Sequence, residues 1–111
     1  MPRLPAALAV LPLALAACIA HAAEAEFNLR IVNHRFEPSE IAIPANTRVK
    51  LIVDNQDPEP EEFDSHPLNR EKVIPAKSKA TIFIGPLSPG RYSFMGEFHA
   101  DTAQGTVVVN P

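Results

Sequence analysis

The chain contains a single cysteine, Cys18, and this scarcity removes two chemical options. Cys18 lies inside an N-terminal apolar run that is typical of a secretory signal peptide. A protein cut after this run has no cysteine, so no disulfide can stabilise it and no thiolate can bind a metal in it. The Ile, Val, Leu and Phe side chains of the inward faces must then supply its stability.

We predict a signal peptide over residues 1–23 and one small domain over residues 24–111. Residues 1–3 carry one positive charge, and residues 4–20 are almost wholly apolar. Small residues at 20–22 and again at 23–25 offer two alternative cleavage positions. Leu15-Ala16-Ala17-Cys18 also resembles the lipobox of bacterial lipoproteins, so an acylated Cys18 is the alternative to a discarded one.

Several other signals are missing from the 88 residues of the predicted domain. Its 9 basic and 13 acidic residues give a formal charge of −4, with no basic run, so nucleic acid and anionic lipid are poor candidate partners. The sequence has no glycine-rich loop suited to phosphate and no serine in a nucleophile elbow. We therefore expect neither a nucleotide-binding protein nor a hydrolase.

Helical signals are nearly absent, and short alternating segments recur instead. Proline, glycine and asparagine separate these segments, as expected for turns and strand edges. The pattern predicts an all-β fold, an antiparallel sandwich or Greek-key barrel. The segments predicted as strands are residues 27–32, 41–43, 49–53, 80–84, 91–97 and 106–109.

The connection between residues 55 and 73 is unusually acidic. We interpret Asp57 and Glu59 as part of a solvated face. Glu62 and Asp64 flank Phe63, so an extended segment would bury the ring and leave both carboxylates on the opposite side. Glu62 is therefore a candidate metal ligand from this region.

A second candidate group lies in residues 92–105, between two predicted strands. Glu97, His99 and Asp101 occupy every second position there, and an extended backbone would point all three the same way. Carboxylates and neutral imidazole suit iron, zinc, manganese or copper(II) better than copper(I), which prefers sulfur. Met95 is interpreted as core filling.

Residues 36–49 and 87–94 resemble the opening and the penultimate strand of bacterial cupredoxins, and the resemblance spans the predicted domain. It implies a cupredoxin-like Greek-key β-sandwich. In this resemblance, Gly96 occupies the cysteine position of the blue-copper loop, and His99 matches the loop histidine. Residues 101–103 supply no methionine at the axial position. Glu62 replaces the histidine of the earlier connection. Blue-copper electron transfer is therefore not expected.

Residues 62–74, 84–87 and 96–103 resemble a narrower branch, the cupredoxin-like domain of EfeO-type proteins and the cupredoxin of Ftr-type ferrous-iron transport systems. This resemblance implies a periplasmic protein that works beside an iron permease or a periplasmic iron-binding protein and binds iron or copper while assisting Fe(II) oxidation. A copper(II) carrier and a metal-free adaptor are the alternatives. The candidate metal ligands are Glu62, Glu97, His99 and Asp101.

Overall fold

The computed structural model describes residues 2–3 and 24–111. The signal peptide predicted for residues 1–23, including Cys18, lies outside the described residues except at positions 2 and 3. Within the described ranges, no helix is both long enough and apolar enough to cross a membrane.

The described residues form nine strands and one short 3-10 turn. The strands are β1 (Glu26–Val32), β2 (Arg35–Glu37), β3 (Glu40–Pro44), β4 (Val49–Asn55), β5 (Glu61–Ser65), β6 (Arg70–Ile74), β7 (Ser78–Ile84), β8 (Gly90–Gly96) and β9 (Gln104–Asn110). The 3-10 turn, Glu97–His99, follows β8 directly.

The strands form two sheets that enclose one core. The first sheet has the order β2-β1-β4-β7, and the second has the order β3-β9-β8-β5-β6. The predicted all-β sandwich is confirmed, and its sheets are mixed rather than antiparallel throughout. β1 pairs with β4 and β3 pairs with β9 in parallel, because the chain crosses to the other sheet between the members of each pair.

The six predicted strands are all present. Five of them are one to three residues longer than predicted, and β8 is displaced by one residue, since it begins at Gly90 and ends before Glu97. Three further strands, β2, β5 and β6, were not predicted. β2 is only three residues long. β5 and β6 carry charged residues that are typical of a solvated connection between strands. The prediction that an extended segment would bury Phe63 and leave Glu62 and Asp64 on the opposite side is confirmed. Phe63 is fully buried, and its two acidic neighbours are only partly buried.

The core lies between the inward faces of the two sheets. β4 illustrates the pattern, because Val49, Leu51 and Val53 alternate inward and are all 0% exposed. On the other sheet Phe63 stacks on Phe94 with ring centroids 5.0 Å apart. Burying each such side chain contributes about 1.5–3 kcal/mol, which is how a domain of this size can fold without a disulfide.

Candidate metal centre

Glu61, at the start of β5, is a buried carboxylate. It shares the inward side of the strand with Phe63, and only 1% of its surface is exposed. Its Oε1 accepts hydrogen bonds from the backbone N–H groups of Glu62 and Phe98, each at 2.9 Å. Its Oε2 lies 2.6 Å from Nδ1 of His99. These three contacts compensate the carboxylate for its loss of water.

Gly96, the last residue of β8, provides the space that this carboxylate occupies. A Cβ at position 96 would lie 2.6 Å from Cδ of Glu61 and 2.7 Å from Cβ of Ala103. The backbone of Gly96 has φ −93° and ψ 107°, which any residue can adopt. Packing against Glu61, not backbone strain, therefore excludes a side chain from this position.

His99 ends the 3-10 turn that follows Gly96. Its Nε2 lies 3.2 Å from Oε2 of Glu59. The hydrogen bond to Glu61 raises the pKa of His99, partial burial opposes this rise, and the negative charges of Glu61 and Glu59 add to it. His99 thus lies between a buried and an exposed carboxylate.

The prediction that residues 97–101 are extended is wrong. The backbone N–H groups of Thr102 and Ala103 donate to the carbonyl of His99, at 3.1 and 2.9 Å, and close a compact loop. Because Glu97 and His99 lie in a 3-10 turn, alternation along a strand does not set the directions of their side chains.

His34 reaches the same place from the turn between β1 and β2. Asn33 and His34 form a two-residue hairpin loop with φ values of 52° and 58°. Asp57 holds this turn by accepting their backbone N–H groups, at 2.8 and 2.9 Å. The His34 ring stacks on His99 with centroids 3.6 Å apart, and its Nε2 lies 4.0 Å from Oε2 of Glu59.

The donor atoms of this cluster fit a divalent transition metal. Ligand atoms of His34, Glu61 and His99 lie within 4.8 Å of one another, and Glu59 adds an exposed carboxylate. Imidazole nitrogen and carboxylate oxygen suit Cu(II), Zn(II) and similar ions. A blue-copper centre does not fit, because residues 24–111 contain no cysteine and Met95 is exposed on the outer face of β8.

A second cluster lies on the opposite face of β5. Ligand atoms of Glu62, Glu71 and Glu97 lie within 4.8 Å of one another. A hydrogen bond shared with Glu71, partial desolvation and the charges of Glu97, Glu71 and Asp64 raise the pKa of Glu62 to about 7. Because Glu61 and Glu62 are consecutive in a strand, their side chains serve different clusters.

The four ligands predicted from the sequence are therefore divided. Glu62 and Glu97 are brought together with Glu71, whereas His99 lies with Glu61 and His34. Asp101 belongs to neither of these two clusters within the described residues. It borders a shallow depression that also includes His34, His99 and Thr102.

The ligand set predicted from the sequence left out three residues of the histidine cluster: His34, Glu59 and Glu61. One signal was available for Glu61, because it stands two positions before Phe63 and must point inward if that ring does. No local signal identifies His34. It is 65 positions from His99 and reaches it only through the pairing of the strands.

The fold and the site define a cupredoxin-like protein. The chain matches the family of cupredoxin-like domains over residues 5–109 and belongs to this family. The uncharacterized protein RP394 of Rickettsia prowazekii is 42% identical to it over 85 residues, which cover 77% of this chain and 68% of that protein.

Two solved structures illustrate the fold. The metal binding domain of the Cu(I) exporting P-type ATPase CopA of Streptococcus pneumoniae D39, determined with Cu(I), is 14% identical, with a TM-score of 0.68 over 78% of this chain and 85% of that one. Auracyanin A, a blue copper protein of Chloroflexus aurantiacus, is 12% identical, with a TM-score of 0.67 over 78% of this chain and 99% of that one. At these identities the similarity is one of fold alone.

Proposed function

We propose that this cupredoxin-like protein binds a divalent transition metal, with Cu(II) as the preferred ion, at His34, Glu59 and His99. The observation that carries the proposal is the meeting of two imidazoles from distant loops beside one exposed carboxylate. Copper(II) is the strongest binder among the divalent first-row metals at most nitrogen and oxygen sites. The names of the two structural neighbours both mention copper, one as Cu(I) and the other as a blue copper protein, and on that ground copper is the first metal to test.

The geometry favours a carrier or buffer of Cu(II) over a blue-copper electron carrier. The rings of His34 and His99 are nearly parallel, with an angle of 14° between them, so their nitrogen lone pairs do not point at one common ion. We expect His34 to turn when both imidazoles join one ion, since it lies on a partly exposed hairpin loop. With no thiolate in residues 24–111, the ligand set discriminates against Cu(I).

A competition titration with Cu(II) and with Zn(II) tests this proposal. We expect one ion per chain at the histidine site and a loss of at least about tenfold in affinity for His99→Ala, the size of effect seen when a site loses one supporting group. His66→Ala is the matched control, because His66 is exposed and belongs to neither cluster. Equal affinities for the wild type and His99→Ala contradict the proposal.

A second candidate function is assistance in Fe(II) oxidation at the acidic cluster. The observation that favours it is the gathering of Glu62, Glu71 and Glu97 carboxylates, because several anionic oxygens stabilise Fe(III) over Fe(II). Asp101 was predicted to join Glu62 and Glu97, but it is not part of this cluster and borders the depression beside His34 and His99. In this candidate the partner is an iron permease or a periplasmic iron-binding protein.

Oxygen uptake with Fe(II) tests the iron candidate. Four Fe(II) ions and four protons convert one dioxygen into two waters, and two of each convert it into hydrogen peroxide, so the rates of oxygen and Fe(II) consumption are measured together. We expect the rate to fall in Glu97→Ala and to persist in His99→Ala if the acidic cluster carries the reaction. Equal rates with and without protein eliminate the iron candidate, and a protein that binds no metal at all leaves the adaptor alternative.

We further propose export to the periplasm through a signal peptide at residues 1–23. The support is the apolar run that follows Arg3. Intact-mass measurement of the protein from a periplasmic fraction distinguishes the two cleavage positions from the lipoprotein alternative. An acylated N-terminus at Cys18 contradicts simple cleavage, and an uncut chain in the cytoplasm contradicts export.

A further inference from the structure

Glu61 and His99 form a pair whose contacts determine which nitrogen of the histidine is available to a metal. We infer that Glu61 is a positioning residue that holds Nδ1–H of His99, so that the metal binds His99 through Nε2. This inference rests on the proposed function, since it specifies how the proposed site is built.

The contacts of Glu61 argue against a role as a ligand. Its Oε1 already accepts two backbone N–H groups, from Glu62 and Phe98. Its Oε2 lies 2.6 Å from Nδ1 of His99, as in a strong hydrogen bond to a charged partner. Two ligand atoms that each lie about 2.0–2.2 Å from one ion are normally about 3 Å apart and point at the ion rather than at each other.

The packing around Glu61 prevents it from opening this gap easily. Only 2% of its side-chain surface is exposed. The space beside its carboxylate is so narrow that even a Cβ at Gly96 would lie 2.6 Å from Cδ. An ion placed between Glu61 and Nδ1 would need a displacement of these walls, and water could not complete its coordination there.

The other side of the imidazole is open. Nε2 of His99 faces Oε2 of Glu59 at 3.2 Å, and 57% of the Glu59 side chain is exposed. Nε2 of His34 lies 4.0 Å from the same oxygen. An ion at Nε2 therefore meets the second imidazole, a carboxylate and solvent. A histidine that donates its other N–H to a carboxylate is the usual arrangement for metal ligation.

The inference predicts which nitrogen changes when metal binds. In the apo-protein labelled with nitrogen-15, at a pH where the His99 ring is neutral, we expect long-range proton–nitrogen NMR spectra to show the His99 proton on Nδ1. On addition of Zn(II), which is diamagnetic, Nε2 takes the shift of a metal-bound nitrogen while Nδ1 keeps its proton. A metal-bound shift at Nδ1 overturns the inference but leaves the proposed function intact. If Zn(II) changes neither nitrogen, both are overturned.

A matched pair of variants gives an independent test. Glu61→Gln places an amide beside His99, and an N–H donated to Nδ1 fixes the proton on Nε2. We expect zinc affinity at His99 to fall about 10–100-fold, as for the loss of other groups that orient metal ligands. Glu40→Gln makes the same change at an exposed carboxylate that belongs to neither cluster, and it leaves this affinity unchanged. A wild-type affinity in a folded Glu61→Gln protein contradicts the inference.

Discussion

Replacing Gly96 by alanine gives a prediction in which two physical effects have opposite signs. Its backbone conformation is open to any residue, so the smaller entropy of the unfolded chain alone would make Gly96→Ala more stable by about 0.4–1 kcal/mol. The added Cβ, however, would lie 2.6 Å from Cδ and 2.9 Å from Oε1 of Glu61, and 2.7 Å from Cβ of Ala103. These distances are too short for any relaxed packing.

The contacts set the size of the expected loss. Overpacking a core costs about 1–3 kcal/mol. A displaced Glu61 would also weaken at least one hydrogen bond of a charged group, worth about 1.5–3 kcal/mol. After the opposing entropic gain is subtracted, we expect Gly96→Ala to lower the free energy of unfolding by about 2–5 kcal/mol, as measured by urea denaturation followed by circular dichroism.

A double-mutant cycle identifies the cause of this loss. Two of the three shortest contacts of the added Cβ are with Glu61, so Gly96→Ala should cost much less in a Glu61→Ala background. An unchanged cost in that background would assign the effect to Ala103 instead. Increased stability of the single variant would refute the packing argument altogether.

Three further predictions concern charge. The raised pKa of His99 stabilises the folded apo-protein at pH values below the unfolded pKa of about 6.5. This stabilisation is lost as the pH rises through the folded pKa. The stability difference between wild type and His99→Gln should therefore shrink from pH 6 to pH 8 in urea titrations. The pKa of Glu62 is raised to about 7, so its repulsion with the neighbouring carboxylates should increasingly destabilise the folded state between about pH 4.5 and 7. Glu62→Gln should therefore be more stable than the wild type above pH 7 in thermal melts. Asp57→Ala leaves two backbone N–H groups of the β1–β2 turn without their acceptor. It should therefore lower the free energy of unfolding by about 2–4 kcal/mol and weaken metal binding through His34. Unchanged stability and affinity would contradict this role of Asp57.

The alternating strands could be predicted from the sequence because their inward residues are aliphatic and their turns contain proline, glycine or asparagine. β5 could not be predicted in this way. Its inward face begins with Glu61, which is buried. A hydropathy pattern assigns a glutamate in an acidic run to the solvated surface instead. The burial of this carboxylate depends on its three hydrogen bonds, and the partners of two of them are 37 and 38 positions away.

The candidate site was only partly predictable for the same reason. The loop histidine His99 could be recognised from its neighbours and from the family pattern. The division of the carboxylates between two faces depends on the 3-10 turn at Glu97, which alternation does not predict. The contribution of His34 depends on the stacking of the β1–β2 turn against the loop after β8, which is a property of the whole sandwich.

The coordination of added Cu(II) tests the central claim most directly. Pulsed electron paramagnetic resonance of the protein with one equivalent of Cu(II) should detect two imidazole nitrogens, and the absorption spectrum should lack the intense blue band of a copper thiolate. Replacing both His34 and His99 by alanine should abolish these nitrogen couplings, whereas His66→Ala should not. Copper that binds with unchanged couplings after both replacements would contradict a metal centre at this cluster.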